Sequence, residues 1–310
     1  MSYLKITTII SFIVLVSFSH SLSANQCPNI KLQVLGAGGP EINDGLASSS
    51  YLVWIDGKAR VMVDAGGGSS LNFEKSGANF NDLQAILFSH LHVDHTAALP
   101  VYIKSSFFTG RETPLPLFGP EAGGDFPSTK QFVKALFSDG NTEKKISAYP
   151  YLSDFIEKQA STPYLFAANN VAAKSHVWSK KIDTALKISA INIHHGAIPA
   201  LAWRVDSGSC SITFSGDMNA SSDNLPKLAK NTDLLVAHNA IPEQAGKIAK
   251  YLHMTPSSIG KIAQKSQAKK LLLSHFMSRS VNSKQQSHQL IEKNYHHEVL
   301  DATELVKISL

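Results

Sequence analysis

Short apolar runs alternate with polar turns along most of the chain, and five of these runs lead directly into a histidine or an aspartate. Apolar runs bounded by glycine, proline or polar turn residues are typical of buried strands. The five runs are 85–88 before His90, 188–193 before His195, 211–214 before Asp217, 233–237 before His238, and 270–273 before His275. Because strand ends converge on one rim of a sheet, we expect these side chains to form one site.

The pattern before the first of these runs predicts more strands. Residues 30–35 predict an opening strand, and residues 50–55 and 60–63 predict a hairpin around Asp56-Gly57, a strong turn signal. Residues 304–310 predict a closing strand.

Helices are predicted between and after the strands. They cover residues 96–108, 130–137, 152–159, 257–267 and 281–294. Thr255 suits an N-cap and Pro256 the first helical position before the fourth of these helices. The order of strands followed by helix, twice over, predicts two β-rich halves packed face to face with helices outside.

The N-terminus predicts a secretory signal peptide over residues 1–24. Lys5 is the only charge before an apolar stretch over residues 6–18, and small residues follow up to Ala24. This stretch is shorter than the roughly 20 residues that a spanning helix needs. We expect a mature domain over residues 25–310 in the periplasm or outside the cell, with no stable membrane insertion after cleavage. An uncleaved anchor is the alternative.

The composition excludes a disordered chain, since 43% of the 310 residues are hydrophobic and 17% are charged. The net charge of +5 and pI near 9.0 are mildly basic. A basic surface could attract phosphate- or sulfate-bearing substrates, but ordinary solubility charge is the favoured explanation. Cys27 and Cys210 are the two cysteines, and export permits a disulfide between them. The sequence leaves their pairing open.

Four metal-competent side chains lie within six residues: His90, His92, Asp94 and His95. Residues two apart point the same way in an extended segment, so His90 and His92 suit one metal. Asp94 and His95 suit a second metal. Imidazole and carboxylate are zinc ligands, and a catalytic site leaves one position for water.

Two neighbouring metals need a bridging carboxylate and further histidines. Asp217 is the candidate bridge, and His195 and His275 complete the two ligand sets. A hydroxide shared by two metals is deprotonated near neutral pH and attacks in line. His194 competes with His195, and the glycine that follows favours His195.

Residues 90–95 match the His-x-His-x-Asp-His signature of the metallo-β-lactamase superfamily. Further segments resemble its ribonuclease Z and alkyl/arylsulfatase branch, in the right order over residues 30 to 280. They are the glycine turn 35–40, the acidic motif 63–66, the Gly-Pro step 118–120, the third-histidine segment 195–204, the bridging-aspartate segment 214–217, the His-x-Thr motif 253–255 and the last-histidine motif 274–279. The resemblance implies an αββα sandwich of two mixed β-sheets with outer helices.

The resemblance also implies a role for each site residue. The ligands of the first metal are His90, His92 and His195, those of the second are Asp94, His95 and His275, and Asp217 bridges. Asp94 also orients the attacking hydroxide. His253 stabilises transition-state charge or protonates the leaving oxygen. Asp64 orients a ligand histidine from outside the ligand set, and His238 is a supporting or structural histidine.

Three residues depart from the ribonuclease Z pattern. Asn239 follows His238 where a glutamate is usual, Met218 follows Asp217 where a threonine is common, and Ser280 replaces an aromatic residue. These departures leave the substrate and the role of His253 open, but not the metal site.

We expect an exported di-zinc hydrolase (EC 3.1) that cleaves a small-molecule phosphodiester or sulfate ester by attack of a metal-bridging hydroxide. Manganese or iron are alternative metals. Nucleic acid is not favoured, because export separates the enzyme from cytoplasmic RNA precursors, and no Lys/Gly-rich arm of the kind that clamps tRNA is evident. A homodimer is expected by resemblance.

Alternative functions use the same ligands. They are a ribonuclease Z-like endoribonuclease, an iron-dependent oxidoreductase, and a lactonase or other carboxylic-ester hydrolase. The last would need an oxyanion donor, for which Tyr149, Tyr151 and Tyr164 are candidates. All three lie in residues 111–185, which carry no ligand cluster and are predicted as an insertion, lid or recognition segment.

Overall fold

The computed structural model describes Met1 and residues 29–137, 147–152 and 166–310. The predicted signal peptide, Cys27, Tyr164 and the side chain of Tyr151 lie outside the described part, and so does the predicted helix beyond Leu152. Within the described ranges, no helix is long and apolar enough to cross a bilayer.

Two seven-stranded sheets form the centre of the fold. The strands are β1 Ile30–Gly36, β2 Ser50–Ile55, β3 Lys58–Val63, β4 Ala85–Leu87, β5 Leu115–Pro120, β6 Phe166–Val171, β7 Trp178–Lys181, β8 Leu186–His195, β9 Ile198–Ser207, β10 Cys210–Phe214, β11 Leu234–His238, β12 Lys270–Ser274, β13 Glu298–Asp301 and β14 Lys307–Ser309. The described α-helices are α1 Ser69–Ser76, α2 Val93–Thr96, α3 Leu99–Ser106, α4 Thr129–Phe137, α5 Asn224–Leu228, α6 Lys247–Leu252, α7 Pro256–Ser266, α8 Ser278–Val281 and α9 Lys284–Glu292.

Both sheets are mixed. The first has the order β14-β1-β2-β3-β4-β5-β6 and the second β13-β12-β11-β10-β9-β8-β7. Strands β3 to β6 are parallel in the first sheet, and β10 to β13 are parallel in the second. The remaining pairs are antiparallel. The predicted sandwich of two mixed sheets with outer helices is confirmed.

Side chains of β2 alternate between two apolar layers. Tyr51, Val53 and Ile55 belong to a core that joins both sheets, whereas Leu52 and Trp54 belong to a second core beneath α1 and α3. Successive side chains of a strand point to opposite faces, so both faces of this strand are covered. This explains why β2 is a continuous apolar run rather than an alternating one.

The strands that lead into the predicted ligands end at the same rim. Strands β10, β11 and β12 are parallel, and β8 runs in the same direction as β10 because each is antiparallel to β9. Their carboxyl ends therefore carry His195, Asp217, His238 and His275 to one edge of the second sheet. The loop after β4 faces them from the first sheet.

Two predicted helices are each divided in the structure. The helix predicted over 96–108 is α2, α3 and a 3₁₀ turn at Phe107–Thr109. Pro100 lies in the first turn of α3, where its missing N–H costs nothing, but it would interrupt a longer helix. The helix predicted over 281–294 is α8 and α9. The polar residues Asn282 and Ser283 separate them, as side chains that compete for backbone hydrogen bonds often do.

The described part of residues 111–185 contributes β5 and β6 to the first sheet and β7 to the second. These strands belong to the sandwich itself. Of the tyrosines considered there, Tyr149 packs beside Phe137 of α4, with ring centroids 6.4 Å apart. The prediction of an insertion, lid or recognition segment over residues 111–185 stays a prediction, and residues 138–146 and 153–165 of it lie outside the described part.

Cys210 begins β10, is buried and is disulfide-bonded. The sequence leaves a pairing with Cys27, the other cysteine of the chain, open, and Cys27 lies outside the described part.

Candidate metal centre

The segment after β4 is fixed to the second sheet before it turns into the short helix α2. The indole Nε1 of Trp203 donates to the carbonyl of Phe88 over 2.9 Å. The amide of Leu201 donates to the carbonyl of Ser89 over 2.8 Å. Because both donors lie on β9, the His-rich segment holds a defined position between the sheets.

His90, His92 and His195 form the first group of side chains that could hold a metal ion. The ring of His90 lies 4.6 Å from that of His92 and 4.8 Å from that of His195, between centroids. His195 is buried, whereas the neighbouring His194 is exposed. The register of β8 therefore brings His195 to the cluster, as the following glycine indicated.

Asp94, His95, Asp217 and His275 form the second group. Oδ2 of Asp94 lies 3.2 Å from His275 Nε2 and 3.4 Å from His95 Nε2. All four side chains are buried. A buried set of carboxylates and imidazoles of this kind suits a divalent cation.

Asp217 lies at the junction of the two groups. Its Oδ2 is 3.4 Å from His275 Nε2, and it is 3.8 Å from Nε2 of both His95 and His195. The same oxygen is 3.7 Å from Nδ1 of His253. One carboxylate oxygen thus faces histidines of both groups, which is the placement that a bridging ligand requires.

Asp64 supports the second group from behind. Its Oδ2 accepts a 2.7 Å hydrogen bond from His95 Nδ1. The backbone N–H and the hydroxyl of Ser89 also donate to this carboxylate, each over 2.7 Å. Since a carboxylate only accepts, Nδ1 of His95 carries a proton, and its Nε2 faces the cluster.

Two further histidines are oriented in the same way. His195 Nδ1 donates to the carbonyl of Leu252 at 2.8 Å, so its Nε2 faces the cluster. His238 Nδ1 lies 2.7 Å from Asp217 Oδ1. The hydroxyl of Tyr51 lies 3.2 Å from His238 Nε2 and 2.8 Å from Ser274 Oγ. This buried chain of hydrogen bonds fixes the rotamer of Asp217.

The backbone at two site residues is strained. Asp64 and His275 have φ values of 57° and 55°, in the left-handed region that few residues other than glycine favour. Gly39 lies against His275, since a Cβ on Gly39 would be 2.9 Å from His275 Cε1. The glycine turn after β1 therefore matters because it leaves room for this imidazole.

Burial favours the neutral form of two histidines of the first group. Burial lowers the pKa of His90 well below its usual value and lowers the pKa of His92. Burial likewise lowers the pKa of His253 to about 3. Neutral imidazole is the form that binds a metal.

Carboxylates and histidines in the second group stabilise each other's charge. Burial opposes ionisation of Asp217, but nearby histidines, His275 foremost, outweigh it and hold its pKa well below the usual range. Burial opposes protonation of His95, but Asp64 and Asp94 outweigh it and raise its pKa well above the usual value. Opposite charges thus favour ionised Asp217 and protonated His95 when no cation is bound.

The donor set fits a divalent metal. Nε2 of His90, His95 and His195 is buried and has no hydrogen-bond partner among the described residues. A buried polar nitrogen without a partner is costly. A cation held by each ligand group would supply the missing interaction. The combination of imidazoles and carboxylates, without cysteine, is typical of zinc and also tolerates manganese or iron.

The departures from the expected motif have local environments of their own. Asn239 is fully buried, and its side-chain amide has no hydrogen-bond partner within the described ranges. Met218 is buried in the core. Ser280 accepts a hydrogen bond from the backbone N–H of Met277, the N-cap residue, and so stabilises the start of α8.

The sequence did not indicate several supporting groups. Leu252 contributes a backbone carbonyl, which no residue pattern reveals. Tyr51 lies far from the motifs along the chain and resembles any other strand residue. Ser89 was the one recognisable group, because it directly precedes the cluster.

Comparisons with known proteins agree with this geometry. The profile described as "Metallo-beta-lactamase superfamily" matches residues 43–253, and the chain belongs to this superfamily. Among curated relatives, Ribonuclease Z of Picrophilus torridus is 27% identical over 274 residues, which cover 80% of this chain and 86% of that protein. Ribonuclease Z of Enterococcus faecalis is 24% identical over 306 residues, covering 88% and 93%. The predicted superfamily is confirmed, and the relatives are consistent with the predicted ribonuclease Z-like branch.

Solved structures show the same fold. The metallo-beta-lactamase fold protein YhfI from Bacillus subtilis aligns with a TM-score of 0.68 at 19% identity, covering 92% of this chain and all of that chain. Human tRNase Z, short form, aligns with a TM-score of 0.64 at 20% identity, covering 90% and 98%.

Proposed function

We propose that this protein is a ribonuclease Z-like hydrolase that cleaves phosphodiester bonds in RNA and uses two divalent metals, with zinc as the preferred metal. The observation that supports it most directly is the position of Asp217 Oδ2, which lies within 3.8 Å of histidines from both ligand groups. Sites with two neighbouring metals suit phosphodiester cleavage, because the attacking and the leaving oxygen each need stabilisation.

The relatives change the order of the substrate hypotheses. From the sequence alone, a small-molecule phosphoester or sulfate ester is the first expectation, and nucleic acid is not favoured. The relatives with the highest similarity reported above are both named ribonuclease Z. RNA therefore becomes the first hypothesis, and nothing in the described site favours a sulfate ester or a lactone.

In this proposal the two groups of side chains would hold the metals. His90, His92 and His195 would hold one metal, and Asp94, His95 and His275 the other, with Asp217 between them. Divalent metals at such a site lower the pKa of water and offset charge on a phosphoryl oxygen.

The remaining residues would fix and complete the site. Asp64 and His238 hold His95 and Asp217 in place through the 2.7 Å contacts described above. Asp94 faces the cluster and would orient the attacking oxygen. His253, neutral because burial lowers its pKa, would donate a hydrogen bond to a developing oxyanion.

Export remains part of the proposal. A signal peptide over residues 1–24 would place the enzyme in the periplasm or outside the cell. Its substrate would then be RNA or oligonucleotides in that space rather than tRNA precursors. N-terminal sequencing of the protein recovered from each cell fraction tests this, and an intact Met1 in the cytoplasm would refute export.

The function is tested by measuring metal content together with hydrolysis of three substrates. The zinc-loaded protein is assayed with single-stranded octauridylate, bis(p-nitrophenyl) phosphate and p-nitrophenyl sulfate. We expect about two metals per chain and cleavage of both diesters, since the two ligand groups are separate. Turnover of the sulfate alone would establish the sulfatase alternative instead.

Matched variants separate the site from the rest of the fold. The substitutions His92→Ala and Asp217→Ala each remove a proposed ligand, so activity should fall at least roughly 100-fold, beyond the loss typical of supporting residues. His194→Ala, at the exposed neighbour of His195, should retain activity. Full activity in Asp217→Ala, or one iron per chain with no ester turnover, would overturn the proposal.

A further inference from the structure

A cavity of about 630 Å³ lies beside the metal centre, on the side of His253. Its walls include Lys247, Lys250 and Tyr251 of α6 and the serines Ser257 and Ser258 at the start of α7. The volume lies within the range of sites that bind small ligands, which is about 300 to 1,000 Å³. The cavity has room for one nucleotide.

The charge of this cavity is positive. Lys247 and Lys250 are exposed and form no ion pair among the described residues. Glu243 is the one carboxylate that lines the cavity within the described ranges. Both of its oxygens are occupied, because Oε2 accepts from the backbone N–H of Ser257 at 2.9 Å and Oε1 from its hydroxyl at 2.7 Å. Two lysines and one carboxylate therefore give the described lining of the cavity a net charge of +1, and the carboxylate is held by Ser257.

The cavity wall is attached to the metal centre. The Leu252 carbonyl at the end of α6 accepts from His195, and the Tyr251 carbonyl accepts a 2.7 Å hydrogen bond from Asn219 Nδ2. None of the residues of α6 is buried, so its side chains are available to a ligand. His253, which directly follows α6, both lines the cavity and lies 3.7 Å from Asp217. A ligand in the cavity would therefore be next to the reacting bond.

Tyr251 adds an aromatic surface to the two cations. The Tyr251 side chain is 58% exposed, although its ring lies close to Gly196. A Cβ added to Gly196 would be 3.2 Å from Tyr251 Cε1. The ring is thus held at one edge while much of it stays open. Lysines that follow a backbone and an aromatic ring that stacks on a base are the combination that binds single-stranded nucleic acid.

We propose that this cavity binds the nucleotide next to the scissile phosphodiester, with Lys247 and Lys250 on its phosphate and Tyr251 on its base. The inference deepens the proposed function and rests on it. It assigns the choice of a nucleic-acid strand over a small diester to a surface outside the metal centre.

The test compares a substrate that reaches the cavity with one that does not. Octauridylate carries neighbouring phosphates and bases, whereas bis(p-nitrophenyl) phosphate has only the reacting phosphate. The zinc-loaded variant K247Q/K250Q is compared with K75Q/K293Q, which removes two exposed lysines that do not line the cavity. Metal content and thermal unfolding are measured for both variants. The variant K247R/K250R keeps the two positive charges and should bind octauridylate as the wild type does.

We expect K247Q/K250Q to raise the KM for octauridylate about tenfold. The slope of log KM against log salt concentration should fall by about 1 to 1.5, because two phosphate contacts on a single strand are lost. The rise in KM for bis(p-nitrophenyl) phosphate should be much smaller. Tyr251→Ala should raise the KM for octauridylate several-fold without changing the salt slope, since stacking carries no charge.

Other outcomes separate the two proposals. If K247Q/K250Q behaves like K75Q/K293Q, or raises both KM values equally, the cavity inference is wrong while cleavage by the wild type still supports the function. If the wild type cleaves neither diester, the proposed function fails. Anisotropy of fluorescein-labelled octauridylate on the same variants then decides whether the cavity binds RNA.

Discussion

Asp64 and His95 are joined by a 2.7 Å hydrogen bond between two fully buried groups that lie 31 residues apart. Asp64 follows β3, and His95 lies in α2, after the next strand of the same sheet. The bond therefore connects the ends of neighbouring parallel strands and sets the direction of the His95 ring.

Replacing Asp64 with asparagine should weaken metal binding without unfolding the protein. Asparagine tolerates the left-handed backbone of Asp64, but it removes the carboxylate that polarises His95. We expect affinity for one metal equivalent to fall about 10- to 100-fold, as for other outer partners of ligand histidines. Competition with a zinc chelator measures this. Asp56→Asn makes the same change at φ 49° in the β2–β3 turn and should leave affinity unchanged. Equal affinity in the two variants would contradict the role assigned to Asp64.

Replacing Gly39 with alanine should displace His275. The new Cβ would lie 2.9 Å from Cε1 and 3.2 Å from Nδ1 of this imidazole, closer than carbon atoms normally approach. We expect loss of one metal equivalent by elemental mass spectrometry. Gly246→Ala is the matched control, because a Cβ there meets nothing within 4 Å. Full metal content in Gly39→Ala would show that His275 has room to move without losing its ligand position.

Replacing Tyr51 with phenylalanine should cost both stability and metal affinity. The change leaves His238 Nε2 and Ser274 Oγ without a buried partner, at a cost of about 1 to 3 kcal/mol in the free energy of unfolding. Tyr102→Phe removes another buried hydroxyl, which bonds Ser69 Oγ at 3.1 Å outside the site. Urea unfolding should show a loss in both variants, whereas zinc affinity should fall in Tyr51→Phe alone. Unchanged affinity there would limit the Tyr51–His238 chain to a structural role.

Removing divalent metals should lower thermal stability. Metal binds the folded chain, and a ligand present at 100 times its dissociation constant adds about 2.7 kcal/mol to the free energy of unfolding. We expect a lower Tm after chelation and recovery when zinc is restored. The double variant His90→Ala/His92→Ala should recover less of its Tm when zinc is restored, because only the second ligand group stays intact. An identical Tm with and without metal in the wild type would argue against a metal centre.

Much of the site was predictable because its residues follow buried strands. The apolar runs before His195, Asp217 and His275 indicated both the strands and the rim where they end. The sandwich followed from the same order of elements, since a sheet must cover its apolar face. Asp64 was identified only through resemblance, because a single aspartate before glycines is also common in plain turns.

The parts that escaped prediction depend on long-range contacts. The carbonyl of Leu252 lies 57 positions from His195 along the chain, so only the tertiary fold brings the two together. Strand β13 has partly exposed, mixed residues and gains its pairing from β12 rather than from its own pattern. The cavity beside His253 combines two turns, α6 and the start of α7, and the His-x-Thr motif 253–255 indicates only one part of its wall.

The proposed ligands come from both sheets: the segment from His90 to His95 from the first, and His195, Asp217 and His275 from the second. A folding intermediate with one sheet formed would hold only part of either ligand group. Metal binding should therefore occur late in folding, after the two sheets have packed together. Its rate in a refolding experiment would measure the rate of that packing step.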